Sequence, residues 1–199
     1  MSLEVRSVVA TATQRYDVEA APGGVALVQE LLNTTSAGKP RKPDLLADLD
    51  SARGWLDRTL DDWSAATGRP APPIELDDVG REQLLDVREQ LHALAGHPVG
   101  GERAPSFDSA GARLVIGSDG LVRVEPGGTG WRRVVSLILI EVLDAQQTDQ
   151  WRRLKTCHNP RCGVTFYDRS RNNSGVWHDF RVCGNAANVR AHRARGRTS

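Results

Sequence analysis

The sequence has no apolar run long enough to cross a bilayer. Its longest apolar stretch, residues 134–143, contains Glu141 and is well short of the roughly 18 to 20 residues that a membrane helix needs. The first six residues, Met-Ser-Leu-Glu-Val-Arg, lack the basic and then apolar pattern of a signal peptide. We therefore predict a cytoplasmic protein that has no membrane partner.

The sequence motifs of several enzyme classes are also missing. The chain contains no glycine-rich phosphate-binding loop, no Gly-x-Ser-x-Gly elbow and no His-Glu-x-x-His pair. The His-x-Glu and Pro-Cys-x-x-Cys elements of the zinc deaminases are absent too. These absences favour a binding protein over an enzyme.

Cysteine is scarce, and its three copies are clustered at Cys157, Cys162 and Cys183. Three thiols cannot all pair within one chain, and clustered cysteines in a reducing compartment more often bind metal than form disulfides. Adding His178 gives the spacing Cys-x4-Cys-x15-His-x4-Cys. Zn²⁺ takes four such ligands in a tetrahedron. The pattern predicts one structural zinc ion held by these four residues, with no open position for a catalytic water.

Two other histidines are rivals of His178 for the fourth ligand position. His158 is adjacent to Cys157, where binding by both neighbours would strain the chelate. His192 lies in a basic stretch and is better placed to face a partner. Asn159 and Pro160 favour a tight turn that brings the first two cysteines together.

The remainder of the chain predicts a mainly α fold. Helical apolar spacing occurs in residues 25–34, in a segment that begins near Ser51, in a segment capped by Asp77 or Asp78, and in residues 131–145. The last segment is apolar nearly all round, so we expect it at the centre of the body. The apolar stripes of the second and third helices could form the core or a homodimer interface.

One β-hairpin and one domain boundary complete the predicted organisation. Residues 112–117 and 121–125 flank an Asp-Gly pair, which is a strong hairpin signal. Asp44 is a candidate cap before Leu45-Leu46. We predict a multi-helical body over residues 1–150, which could sense a small-molecule effector, and a small zinc-knuckle module over residues 151–199 that ends in a basic helix.

The two parts differ sharply in charge. Residues 151–199 carry eleven lysines and arginines and two acids, a net charge of +9, whereas the rest carries 15 bases and 23 acids, a net charge of −8. Such asymmetry suggests a polyanionic partner, DNA above all, or a module docked on the acidic body. The candidate nucleic-acid contacts are Arg169, Arg171, Arg190, Arg193, Arg195 and Arg197.

The module resembles the CGNR-type zinc finger, which is found in bacterial proteins behind an N-terminal ABATE domain. Upstream, Leu31-Leu32-Asn33-Thr34 resembles that domain's early Val-Asn-Thr helix, Trp55-Leu56 its next landmark, and Arg88 with Leu91 its third helix. The resemblance implies transcriptional regulation by a mainly helical domain and a zinc module that binds DNA. The module residues that carry it are Cys157, Cys162, Phe166, Asp168-Arg169-Ser170-Arg171-Asn172, Trp177-His178 and Cys183-Gly184-Asn185.

The sequence departs from this family pattern at two positions. His178 stands where the family has a third cysteine, which turns a Cys₄ site into a Cys₃His site that still suits zinc. Ala186 stands where the family has the arginine of its Cys-Gly-Asn-Arg signature. If that arginine touches nucleic acid, this chain lacks one contact.

Overall fold

The computed structural model describes residues 11–95 and 110–185, and four helices form the body of this part of the chain. The mainly α fold predicted from the sequence is confirmed. The helices are α1 (Val25–Asn33), α2 (Leu49–Thr67), α3 (Asp78–Leu94) and α4 (Trp131–Gln147).

Helix α1 is the most enclosed of the four. All its residues except Ala26 are buried, because α2, α3 and α4 pack around it. The sequence predicted a central position for α4, which does contact α1 and α3 but leaves Leu143 exposed. The buried polar residues of α1 explain why this helix, rather than α4, is the most enclosed. Gln29 and Asn33 are fully enclosed because their amides bond to backbone groups of neighbouring segments.

Carboxylate caps fix where α2 and α3 begin. Asp48 accepts a hydrogen bond from the Ser51 amide at 2.8 Å, so it caps α2. Asp77 accepts one from the Gly80 amide at 2.7 Å and caps α3, as predicted. Asp44, predicted as a cap before Leu45-Leu46, does accept from the Leu46 amide at 2.8 Å, but no helix begins there and its carboxylate pairs with an arginine of α3.

The predicted hairpin is confirmed. Strands β1 (Ala112–Ile116) and β2 (Val122–Pro126) are antiparallel, and Leu114 lies opposite Val124. Because residues directly opposite share a face of a hairpin, Leu114, Ile116 and Val124 lie on one apolar face. Strand β2 packs against α4.

The second and third helices bury their apolar stripes inside the chain. Trp55 and Trp63 of α2 lie in the same core cluster as Leu84 and Leu91 of α3. These stripes are therefore core, and they offer no surface to a second copy. No helix in residues 11–95 or 110–185 is long and apolar enough to cross a membrane.

The C-terminal part is a small hairpin followed by a loop. Strands β3 (Leu154–Thr156) and β4 (Thr165–Tyr167) are antiparallel, and a π-helical turn spans Phe180–Gly184. A 3₁₀ turn, Trp151–Arg153, joins α4 to β3 near the predicted boundary at residue 150. The predicted basic helix falls after residue 185, outside the described residues.

The C-terminal hairpin packs tightly on the body. Leu154 of β3 is completely buried in the core that the helices form, and β4 contacts α1. A second, smaller cluster joins Tyr16, Val18 and Ala37 of the body to Val164 and to the three cysteines, Cys157, Cys162 and Cys183. The predicted metal ligands thus lie at the seam between body and module.

Candidate metal centre

The first ligand pair lies at the tip of the β3–β4 hairpin. Cys157 follows β3, and its amide donates to the Val164 carbonyl oxygen at 2.9 Å, which closes the hairpin around the turn. The Cys162 amide donates to the Asn159 carbonyl oxygen at 2.8 Å. Gly163 then takes a φ of +77°, a conformation that costs glycine little. The turn aims both thiols to one side.

The second ligand pair is placed by the loop and the π-helical turn. The His158 amide donates to the Val176 carbonyl oxygen at 2.9 Å and holds the segment before His178 against the knuckle. Asp179 begins the turn, since its carboxylate accepts from the Val182 amide at 2.9 Å. The Asp179 carbonyl oxygen accepts from the Cys183 amide at 2.9 Å, which brings the third thiol back toward the first two.

The four predicted ligands converge on one point. The donor atoms of Cys157, Cys162, His178 and Cys183 all lie within 4.8 Å of one another, and Cys162 Sγ is 3.4 Å from His178 Nδ1. Bonds of about 2.3 Å to sulfur and about 2.0 Å to nitrogen require donor separations of this order in a tetrahedron. The three cysteines are buried and His178 is half-buried. This donor set fits one structural zinc ion in a Cys₃His site.

The electrostatics of the thiols also favour a cation. Hydrogen bonding from the Cys162 thiol, helped by His178, holds the pKa of Cys157 well below its usual range. The same closeness to Cys157, with burial, raises the pKa of Cys162, while burial chiefly raises that of Cys183. One thiol therefore ionises readily, whereas the other two resist ionisation because adjacent thiolates repel one another. A divalent cation removes that conflict and lets all three bind as thiolates.

Asn159 supports the site from inside the first turn. Its side chain is buried, and its amide nitrogen donates to Cys183 Sγ at 3.3 Å. Hydrogen bonds to coordinating sulfur orient the ligand and moderate its charge. The sequence identified Asn159 only as a turn residue, since nothing in the spacing shows that its side chain reaches the last cysteine.

A buried ion pair organises the loop that carries His178. Lys155 Nζ lies 2.7 Å from Asp168 Oδ2 and also donates to the carbonyl oxygens of Asn173 and Gly175. Asp168, only 4% exposed, also accepts from the amides of Gly175 and Ser170. Burial alone would raise the pKa of Asp168, but these hydrogen bonds hold it well below its usual range. The pair fixes residues 168–175.

Body residues hold the knuckle from the other side. The Gly38 amide donates to the Cys162 carbonyl oxygen at 3.2 Å. Thr34 Oγ1 accepts from Arg88 at 2.9 Å, and Arg88 makes two 2.8 Å contacts with the Asp44 carboxylate. Thr34, Arg88 and Asp44 thus form a polar network. Thr34 and Asp44 flank the segment that contains Gly38, which contacts a metal ligand.

The predicted nucleic-acid contacts have different surroundings. Arg169 binds Glu19 at 3.0 Å and the Ala20 carbonyl oxygen at 2.6 Å, so it ties the module to the body. Arg171 is exposed, and its side chain has no partner within residues 11–95 and 110–185. Four further predictions, Arg190, Arg193, Arg195 and Arg197, lie outside the described residues, as do Ala186 and His192.

Two further arginines of the module were not among the predicted contacts. Arg161 in the knuckle and Arg181 in the π-helical turn are both exposed, and neither side chain has a partner in the described part of the chain. His158 is not a member of the ligand cluster and lies edge-on to the ring of Trp177. Both arginines lie within five residues of a predicted ligand, so their closeness to the metal centre is visible in the sequence.

Comparison with known families agrees with this geometry. One family model, described as a CGNR zinc finger, matches residues 153–196. Another, ABATE, described as "putative stress-induced transcription regulator", matches residues 25–135, more than half of the chain. No curated protein matches the sequence. The two family matches confirm the resemblance predicted from the residues and span both the helical body and the metal centre.

Proposed function

The chain belongs to the ABATE family and carries a CGNR zinc finger, and from this we propose that it is a transcriptional regulator whose zinc-folded module contacts DNA. The supporting observation is how the module uses its two acids. Asp168 is buried against Lys155, and Asp179 is engaged as the cap of the π-helical turn. Few negative groups are left to oppose the exposed arginines.

The exposed arginines supply the electrostatic part of DNA binding. Arg161, Arg171 and Arg181 all lie on the surface of the described module. Cations on such a surface neutralise phosphates and release counterions, which gives affinity that falls steeply with salt. Arg169 has a different role in this proposal, because its ion pair with Glu19 holds the module on the body.

We assign the metal a structural role rather than a catalytic one. Four protein ligands fill a tetrahedral zinc site, whereas catalysis needs an open position for water or substrate. The small hairpin of the module contributes little core of its own, so zinc supplies much of its folding free energy. This is why loss of metal should also abolish DNA contact.

The test is a fluorescence anisotropy titration of the zinc-loaded chain against duplex DNA, between about 50 and 200 mM salt. We expect affinity to fall with salt, and each of Arg171→Gln and Arg181→Gln to reduce the slope of log K against log salt by about one. The matched control is Arg58→Gln, an exposed arginine on α2. An absence of binding at low salt, or equal slopes in all three variants, would overturn the proposal.

A second candidate function is a protein-interaction module that does not touch DNA. Its supporting observation is an apolar group beside the metal ligands, in which Phe180 is 63% exposed and Val182 45% exposed. Exposed apolar groups of this kind are typical of protein contacts. Partner capture by the whole chain after nuclease treatment, lost in Phe180→Ser but kept in Arg181→Gln, would favour this candidate.

A further inference from the structure

A cleft lies on the body, on the side formed by the hairpin. Its walls are β2, the proline-rich segment 69–73 and the face of α4 that carries Ile140. Its volume is about 690 Å³, which is within the range of small-molecule sites. Val122, Val124 and Ile140 line it with apolar groups, while the prolines make one wall stiff.

One cation in the cleft lacks a counterpart. Arg133, in the first turn of α4, lines the cleft and is half-buried. Its Nε is fully buried without a hydrogen-bond acceptor, and its guanidinium makes no ion pair within residues 11–95 and 110–185. Buried donors in folded proteins nearly always have a partner, so a donor like this one calls for an explanation.

The other basic groups of the cleft are already satisfied. Arg69 lies over the Trp63 ring and donates to Glu141 at 2.7 Å. Arg123 is paired with Asp119.

The acids that line the cleft do not form an ion pair with Arg133 either. Glu125 is paired with Arg113 at 3.1 Å. Asp144 is exposed and therefore solvated. Among the described residues that line the cleft, Arg133 is therefore the half-buried cation that no acid neutralises.

We propose that this cleft binds a small organic anion, with a carboxylate or sulfonate on Arg133 and a flat apolar body against β2 and the prolines. A guanidinium binds such anions through two parallel hydrogen bonds, and these charge-assisted bonds are the strong ones. The apolar walls supply most of the contact area and the single charge fixes the orientation. The site lies on the ABATE body, and its occupancy does not depend on whether the module contacts DNA.

The test compares two fluorescent probes on the zinc-loaded chain. Anilinonaphthalene sulfonate carries the anion and the flat body, whereas N-phenyl-1-naphthylamine carries the body alone. We expect the sulfonate to bind the wild-type protein at least about tenfold more tightly, which is the range for a charge-assisted pair. Equal affinity for the two probes would overturn the proposal, and this comparison requires no variant.

Arg133→Gln and two control variants locate the bound probe. Arg133→Gln should lose about tenfold or more in sulfonate affinity and leave the uncharged probe unchanged. Arg132→Gln, which removes the neighbouring exposed arginine, should stay within about twofold. Phe180→Ser removes an exposed apolar group of the module, away from the cleft lining, and should have no effect. If Phe180→Ser abolishes binding while Arg133→Gln does not, the probe binds the module surface and the proposal is wrong.

Discussion

Asn33 of α1 pairs with the backbone of Thr165 in β4 as a neighbouring strand would. Its side-chain nitrogen donates to the Thr165 carbonyl oxygen at 2.8 Å, and its oxygen accepts from the Thr165 amide at 2.9 Å. Both residues are completely buried. Within residues 11–95 and 110–185, β3 is the only strand beside β4. The Asn33 amide therefore satisfies the other edge of β4 and joins the body to the strand that follows the knuckle.

Replacing Asn33 should therefore destabilise the whole protein. Asn33→Ala leaves the buried Thr165 N–H unpaired, at a cost of about 1–3 kcal/mol, and leaves the Thr165 C=O with only a 3.5 Å bond from Gln29. We therefore expect at least about 1–3 kcal/mol lost from the free energy of unfolding. Urea unfolding of the zinc-loaded protein measures the loss. Asn172→Ala, an exposed asparagine of the module, is the control and should change stability by less than about 0.5 kcal/mol. Equal midpoints for the two variants would show that the seam carries no such energy.

The assignment of His178 as the fourth ligand can be tested against its rival, His158. His178→Ala removes one of the four donors, so zinc retained after dialysis against a chelator should fall well below that of the wild type. His178→Cys, which restores the ligand expected from the family pattern, should retain zinc. His158→Ala should behave as wild type, because that ring lies against Trp177 outside the cluster. Zinc loss in His158→Ala with retention in His178→Ala would reverse the assignment.

Asn159 should matter for metal affinity although it binds no metal. Removing its hydrogen bond to Cys183 in Asn159→Ala should weaken zinc binding about 10- to 100-fold, as expected for groups that orient ligands. Competition with a calibrated zinc chelator measures the change, and Asn172→Ala again serves as the control. An unchanged affinity would mean that the Cys183 thiolate is held by the π-helical turn alone.

His92 gives the body a pH-dependent stability. Burial lowers the pKa of this imidazole, despite the hydrogen bond it makes with the Leu32 carbonyl oxygen at 2.9 Å. The folded state therefore binds fewer protons than the unfolded state as pH falls below about 6.5. His92 contributes stability that is fully present above that pH and is lost as pH falls through the folded-state pKa.

The variant His92→Gln should accordingly reduce the loss of stability between about pH 7.5 and 5.5. Unfolding free energies at several pH values measure it. Protonation of the zinc ligands affects both proteins alike, so the difference between the two curves reports His92. Parallel curves would contradict the assignment.

The ligand quartet could be predicted because it depends on residue type and spacing alone. The sequence has only three cysteines, so Cys157, Cys162 and Cys183 are evident candidates. His178 follows because four residues separate it from Cys183, the same spacing as in the first cysteine pair. The helices and the Asp-Gly hairpin were also accessible, because apolar spacing and turn residues are local signals.

What could not be predicted depends on contacts between distant segments. Asn33 looks like an ordinary polar residue near the end of a helix, yet it is buried against a strand 132 positions away. Arg169 is the residue type expected at a DNA contact, but in the fold it forms an ion pair with Glu19 of the body. The sequence does not show that Arg133 lacks an ion pair within the described part of the chain, because pairing depends on which acids the fold brings near.

The central claim is that zinc sits in a closed site of three sulfurs and one nitrogen. Zinc K-edge X-ray absorption of the purified chain, together with the zinc content per chain, tests it directly. We predict one zinc per chain, with three sulfur neighbours at about 2.3 Å and one nitrogen neighbour at about 2.0 Å. A chain without stoichiometric zinc, or a spectrum that requires a water ligand in place of the His178 nitrogen, would contradict the account.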